Sequence, residues 1–133
     1  MLEHGIDLLE IKRIHEAVEN HGERFIARIL SPEEQAYFSS KFHGASEARK
    51  NEWLAGRYAA KEAILKALGT GLAENISWHD ITVLPNDLGA PVVRLQKTAQ
   101  ERYTALGAKA IRLSISHDGG FVIASCLIET AEN

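Results

Sequence analysis

The sequence predicts an α+β fold: one compact domain over residues 1–133, with antiparallel hairpins packed on a long central helix. Three features carry that expectation. Glu47 to Leu68 reads as a long helix, with Leu54, Tyr58, Leu65 and Leu68 at helical spacings and Ala55, Ala59, Ala60, Ala63 and Ala67 between them. Residues 110–116 alternate, Ile111, Leu113 and Ile115 against Arg112, Ser114 and Ser116, as a half-buried strand does. Two turn signals, Pro85-Asn86-Asp87-Leu88-Gly89 and His117-Asp118-Gly119-Gly120, each join two apolar runs.

In chain order, residues 4–11 read as a short strand leading into a helix marked by Ile11, Ile14 and Val18, then Phe25, Ile26, Ile29 and Leu30. Gly22 should break that helix or end it. Ser31-Pro32-Glu33-Glu34 is a helix start, with a serine cap, proline at the first position and acids in the first turn. Gly69, followed by Gly71, should stop the long helix. Asp80–Leu84 and Pro91–Leu95 read as paired strands, and Lys97–Leu106 as a short helix closed by Gly107. Phe121–Ile128 is apolar on both faces, which places it centrally in a sheet.

Composition excludes several classes. Apolar residues are 45% and charged residues 25% of 133, the balance of an ordinary globular chain. The longest apolar stretch, Phe121–Ile128, contains Ser125 and falls far short of the ~20 residues of a membrane span. The opening MLEHGIDLLEIKR has no basic stretch before an apolar core, so no signal peptide is expected. The lone Cys126 allows no intrachain disulfide, reads as a small core residue, and suits a cytoplasmic setting. The net charge of −3 offers no general attraction for nucleic acid. Between Lys41 and Lys66, however, six Lys/Arg stand against three Glu, a local excess that suits a small anionic ligand or an acidic partner.

Nucleotide-binding glycine loops, zinc spacings and a GxSxG elbow are all missing from the sequence. The informative segment is Arg57-Tyr58-Ala59-Ala60-Lys61-Glu62. Arg57 and Lys61 lie four apart on a helix, where like charges repel unless an anion lies near them. A solvated basic stripe with a Glu62–Lys66 pair is the plainer account. Asp7 interrupts the apolar run Ile6-Asp7-Leu8-Leu9, either as the N-cap of the next helix or, with Glu62, as a ligand of a hard cation such as Mg²⁺. His117 is either a turn residue or a phosphate contact at a strand end. Arg13, Arg24 and Arg28 are either a solvated face or a docking face for an acidic protein.

Several blocks together resemble the holo-[acyl-carrier-protein] synthase family: Gly5-Ile6-Asp7 with Ile11-Lys12-Arg13-Ile14, Phe25-Ile26-Ala27-Arg28-Ile29-Leu30, Trp53–Gly71 (WLAGRYAAKEAILKALGTG), and Ser114-Ile115-Ser116-His117 before an apolar strand. The Trp53–Gly71 block is the most specific. The resemblance implies the 4′-phosphopantetheinyl transferase fold. It also implies a Mg²⁺-dependent enzyme that moves the phosphopantetheine arm of coenzyme A to a serine of apo-acyl carrier protein, supporting fatty acid biosynthesis. Asp7 and Glu62 then match the metal ligands, Lys61 a catalytic, phosphate-side lysine, and Arg57, Lys61, Gly71 and His117 the coenzyme A site. Arg13, Arg24 and Arg28 match the carrier-docking region, and a homotrimer with sites at subunit boundaries is expected. The serine proton would pass to Glu62 or to a water on the metal. Where the family usually has another glycine two residues before Gly5, this chain has Glu3-His4, and His15–Glu23 holds three Glu and no Arg. Two readings stand beside it: a Mg²⁺-dependent phosphoester enzyme without a protein acceptor, and a binding module for an acidic protein.

Overall fold

A computed structural model describes residues 1–69 and 75–131. Strand β1 (Leu2–Glu10) leads into α1 (Ile11–His21) and α2 (Glu23–Ile29), followed by α3 (Pro32–Lys41) and the long α4 (Glu47–Leu68). A 3₁₀ turn (Trp78–Asp80) precedes the hairpin β2 (Ile81–Pro85) and β3 (Pro91–Leu95). The chain closes with α5 (Lys97–Ala105) and the hairpin β4 (Ala108–Asp118) and β5 (Phe121–Thr130). The fold is α+β, as predicted. One antiparallel sheet has the order β1-β5-β4, and β2-β3 forms a second.

Local chemistry accounts for the boundaries. Gly22, at φ +55°, splits the first helical region in two. Ser31 and Glu34 form a reciprocal capping box at the start of α3, with Pro32 inside it. Ser46 caps α4, whose far end stops at Gly69 in a left-handed conformation. Asp80 falls in the 3₁₀ turn rather than in β2, because its carboxylate closes a capping box with Ser77. Asp7 is no helix cap: it lies in the middle of β1, and the N-cap of α1 is Glu10.

The core lies between α4 and the larger sheet. Ala55, Ala59, Ala60, Ala63 and Ala67 are buried with Leu54, Ile64, Leu65 and Leu68 against Leu9, Val122, Ala124, Cys126 and Ile128. Strand β5 is central, as expected, but its two faces differ. The Val122, Ala124, Cys126 and Ile128 face meets α4, whereas Phe121, Ile123 and Leu127 face outward. Cys126 is fully buried, and burial pushes its thiol pKa up to about 12, so it behaves as a core residue.

One close approach fixes where β1 crosses α4. A Cβ on Gly5 would run into the Ala63 carbonyl oxygen and lie 2.6 Å from the Ala67 nitrogen. Backbone cannot yield there as a side-chain tip could, so only glycine permits this crossing. We expect Gly5→Ala to cost at least the ~1–3 kcal/mol typical of overpacking, read as a lower urea midpoint, and to displace Asp7 two residues on. An unchanged midpoint would refute the close-packing argument.

Candidate active site

The Gly5 crossing determines the first part of the site. With β1 pressed on the C-terminal half of α4, the Asp7 side chain reaches the helix beside Glu62 and Lys66. Lys66 Nζ donates to Asp7 Oδ1 at 3.2 Å and to the Ile6 carbonyl at 2.9 Å. Glu62 is partly buried, and burial raises its pKa first, with the Asp7 charge adding to the rise and Lys66 opposing it. Two neighbouring carboxylates that repel each other are a fitting donor pair for a hard divalent cation, which binds one or two carboxylates and leaves room for ligand oxygens. Among the described residues, no cluster of three or more His, Cys, Asp or Glu side chains gathers for a metal.

Lys61 is placed differently from the sequence-based expectation. It is fully buried, and its ammonium donates to Glu34 Oε1 at 2.6 Å, to the Ile29 carbonyl at 2.7 Å and to the Trp78 carbonyl at 3.1 Å. All three donors are thereby taken inside the protein, which leaves none for direct contact with a phosphate. Burial lowers its pKa and the Glu34 carboxylate opposes that shift. The lysine that stands beside the two carboxylates is Lys66, half exposed and one turn beyond Glu62.

Arg57 is likewise no member of a solvated stripe. It is 8% exposed, its Nε donates to the Val83 carbonyl at 3.0 Å, and its guanidinium lies 4.4 Å above the Trp53 ring. The anion that the Arg57–Lys61 spacing called for is Glu34, supplied by α3 of the same chain. Arg57 still borders a cleft of about 260 Å³, together with Arg49, Trp53, Phe42, Ile115 and His117. His117, at the end of β4, is exposed and sits 3.4 Å from Glu52. This cleft combines cations with aromatic walls, which suits a ligand with an anionic group on a flat ring system. Gly71 lies outside the described residues.

Arg13, Arg24 and Arg28 are all exposed on α1 and α2. Arg24 and Arg28 flank a shallow concavity of about 210 Å³ with His21 and Phe25. Tyr58 joins this basic face to the carboxylates. Its ring packs against Phe25 and Trp78, and its hydroxyl has its pKa raised by burial and by Glu62 and Asp7, while Arg13 and Arg28 act the other way. The basic face and the carboxylate pair are therefore neighbours. Sequence reasoning missed Lys66 as a site residue, although its position one turn after Glu62 was a usable signal. It also missed Glu34, for which no local signal existed beyond the capping box.

A model of the 4′-phosphopantetheinyl transferase superfamily matches residues 3–126 of this chain. The holo-[acyl-carrier-protein] synthase of Vibrio parahaemolyticus is 40% identical over 126 residues, covering 95% of each chain. The crystal structure of the holo-[acyl-carrier-protein] synthase from Neisseria meningitidis superposes with a TM-score of 0.85 at 31% identity, over 96% of this chain and 98% of that one. The Helicobacter pylori holo-[acyl-carrier-protein] synthase, solved in complex with coenzyme A, gives a TM-score of 0.78 at 32% identity, over 95% and 99%.

The raised pKa of Glu62 has a stability consequence. A carboxyl whose folded pKa exceeds its unfolded value stabilises the fold at low pH and loses that contribution as pH rises through the folded value. At neutral pH in metal-free buffer, Glu62→Gln should therefore melt at or above the wild-type temperature. A clear drop would contradict the upward shift that burial, with the Asp7 charge, imposes on Glu62.

Proposed function

This chain belongs to the 4′-phosphopantetheinyl transferase superfamily, and on that premise we propose that it acts as a holo-[acyl-carrier-protein] synthase. It transfers the 4′-phosphopantetheine group of coenzyme A to a serine of apo-acyl carrier protein and releases adenosine 3′,5′-bisphosphate, in support of fatty acid biosynthesis. The observation that carries this reading is the crossing of β1 and α4 that sets Asp7, Glu62 and Lys66 together beside an exposed arginine face.

Asp7 and Glu62 would hold Mg²⁺, which when bound supplies charge neutralisation at the pyrophosphate. Lys66 stands ready to exchange its contact with Asp7 for a phosphate oxygen. Arg57, Arg49 and His117 line the cleft for the adenosine end of coenzyme A. The serine oxygen forms a bond to the pantetheine-side phosphorus, the bond to the adenosine bisphosphate oxygen breaks, and the serine proton leaves to a base on the Asp7–Glu62 side. The acceptor brings its own nucleophile, so this chain needs none. Positioning and charge stabilisation do most of the work in such transfers. Arg13, Arg24 and Arg28 provide complementary charge for an acidic carrier. The reaction belongs in the cytoplasm, where the single buried thiol stays reduced.

A homotrimer accounts for two further features. Glu62 and Arg57 are five residues apart on α4, about 140° around the axis and ~7.5 Å along it, so they face different surfaces of one protomer. A cleft shared between subunits would let one coenzyme A meet both groups. The outer face of the larger sheet exposes Leu2, Ile6, Leu8, Phe121, Ile123 and Leu127, an apolar surface of the kind that association covers.

Incubation with coenzyme A, Mg²⁺ and an apo carrier protein should add a phosphopantetheine mass to the carrier. Coenzyme A breakdown without an adduct would favour a phosphoester enzyme, and a stable complex without turnover a binding module. Asp7→Ala and Glu62→Ala should abolish transfer with the fold intact, and normal turnover of either at ordinary Mg²⁺ would exclude the metal assignment. Carrier binding should weaken with salt and with loss of Arg24 and Arg28; affinity indifferent to both would rule out that docking face. In light scattering, Ile6→Glu with Leu127→Glu should give an inactive monomer, whereas an active monomer would refute the shared cleft.

A further inference from the structure

Glu34, like Lys61, makes three hydrogen bonds inside the protein, and nothing in the transfer chemistry uses it directly. It is 0% exposed at the third position of α3. Its Oε1 accepts from the Ser31 backbone N–H at 2.8 Å and from Lys61 Nζ at 2.6 Å, and its Oε2 accepts from the Val83 N–H at 2.6 Å. The Val83 carbonyl in turn accepts from Arg57 Nε at 3.0 Å. Both backbone groups of one β2 residue are therefore held by charged side chains, the N–H by Glu34 and the carbonyl by Arg57. Ser31 Oγ accepts from Thr82 Oγ1 at 2.7 Å, closing the ring of contacts between the α3 start and β2.

Lys61 carries the same network to the end of α2 and to the 3₁₀ turn, through the Ile29 and Trp78 carbonyls. Glu62 is the next residue on α4, and Arg57 is one turn earlier. A rotation of α4 about its axis would therefore strain the Lys61–Glu34 contact as it shifted Glu62 relative to Asp7. Buried charge makes that rotation costly, because either ion left alone is desolvated without a partner.

We propose that Glu34 is a positioning residue for the transfer reaction: through Lys61 and Val83 it sets the rotation of α4, and so the presentation of Glu62 and Arg57 to metal and coenzyme A. The proposal rests on the transferase reading. It predicts an effect on turnover that exceeds any effect on folding, since misplacement by about 1 Å can cost ~100-fold in rate.

Two variants test it. Glu34→Asp keeps the charge but is one methylene too short to meet Ser31, Lys61 and Val83 together. Glu34→Gln combined with Lys61→Gln removes both charges at once and leaves no unpaired ion. Each is assayed for pantetheine transfer well below its melting temperature, with kcat and the Mg²⁺ concentration for half-maximal rate measured separately. We expect a cooperative melt in both, kcat reduced about tenfold or more, and a raised Mg²⁺ requirement. Wild-type kcat and Mg²⁺ requirement in either folded variant would overturn the proposal, as would failure of both to fold, which would make the pair a matter of stability alone. Absence of transfer by the wild-type protein would overturn the transferase reading itself, and the proposal with it.

Discussion

The buried ion pair between Lys61 and Glu34 is the interaction on which the arrangement of the other elements turns. Desolvating two ions costs several kcal/mol each, and their attraction offsets that cost only when the remaining hydrogen-bonding capacity is also used. Here it is used. The ammonium has three acceptors, and the carboxylate accepts from Lys61, Ser31 and Val83. Among the described residues, no buried side-chain nitrogen or oxygen is left without a partner. The consequence is directional. Apolar packing alone would tolerate small slides of α4 over an alanine-rich surface, whereas a pair of hydrogen-bonded ions admits one rotation and one height.

Adjacent residues of α4 divide the labour. Lys61 points into the protein and holds it, while Glu62, about 100° further round the helix, reaches the surface beside Asp7. The alanines at 63 and 67 let β1 approach until only Gly5 fits. Asp7 comes to Glu62 because the strand is that close, and their mutual repulsion is what a cation would relieve. Internal stability and the site are thus built from neighbouring positions on one helix. The basic face of α1 and α2 meets the same helix one turn earlier, at Tyr58.

Much of this was legible beforehand because it follows from local rules. The capping box at Ser31 and Glu34, the stop at Gly69, the break at Gly22 and the two hairpins each depend on a few consecutive residues. Asp7 was conspicuous because an acid in an apolar run demands a reason, although whether that reason was a helix cap or a partner across the fold could be told only from its place in mid-strand. The Arg57–Lys61 repetition was conspicuous too, with a nearby anion as one of its two readings and a solvated basic stripe as the other. The reading as an exposed, solvated stripe failed because both side chains are buried, and the partner that holds Lys61, Glu34, lies 27 residues away and was visible only as a cap.

The sequence by itself determined the elements, their ends and the chemical types available: carboxylates at 7 and 62, cations at 57, 61 and 66, arginines along the first two helices. Those follow from short-range sterics and periodicity. Tertiary structure alone decided which cations are internal and which face outward. That choice depends on desolvation, and desolvation depends on what the rest of the chain packs around each charge. Lys61 and Lys66 are chemically identical, five residues apart on one helix; one is enclosed by α3, the end of α2 and the 3₁₀ turn, and the other stands at the surface beside Asp7.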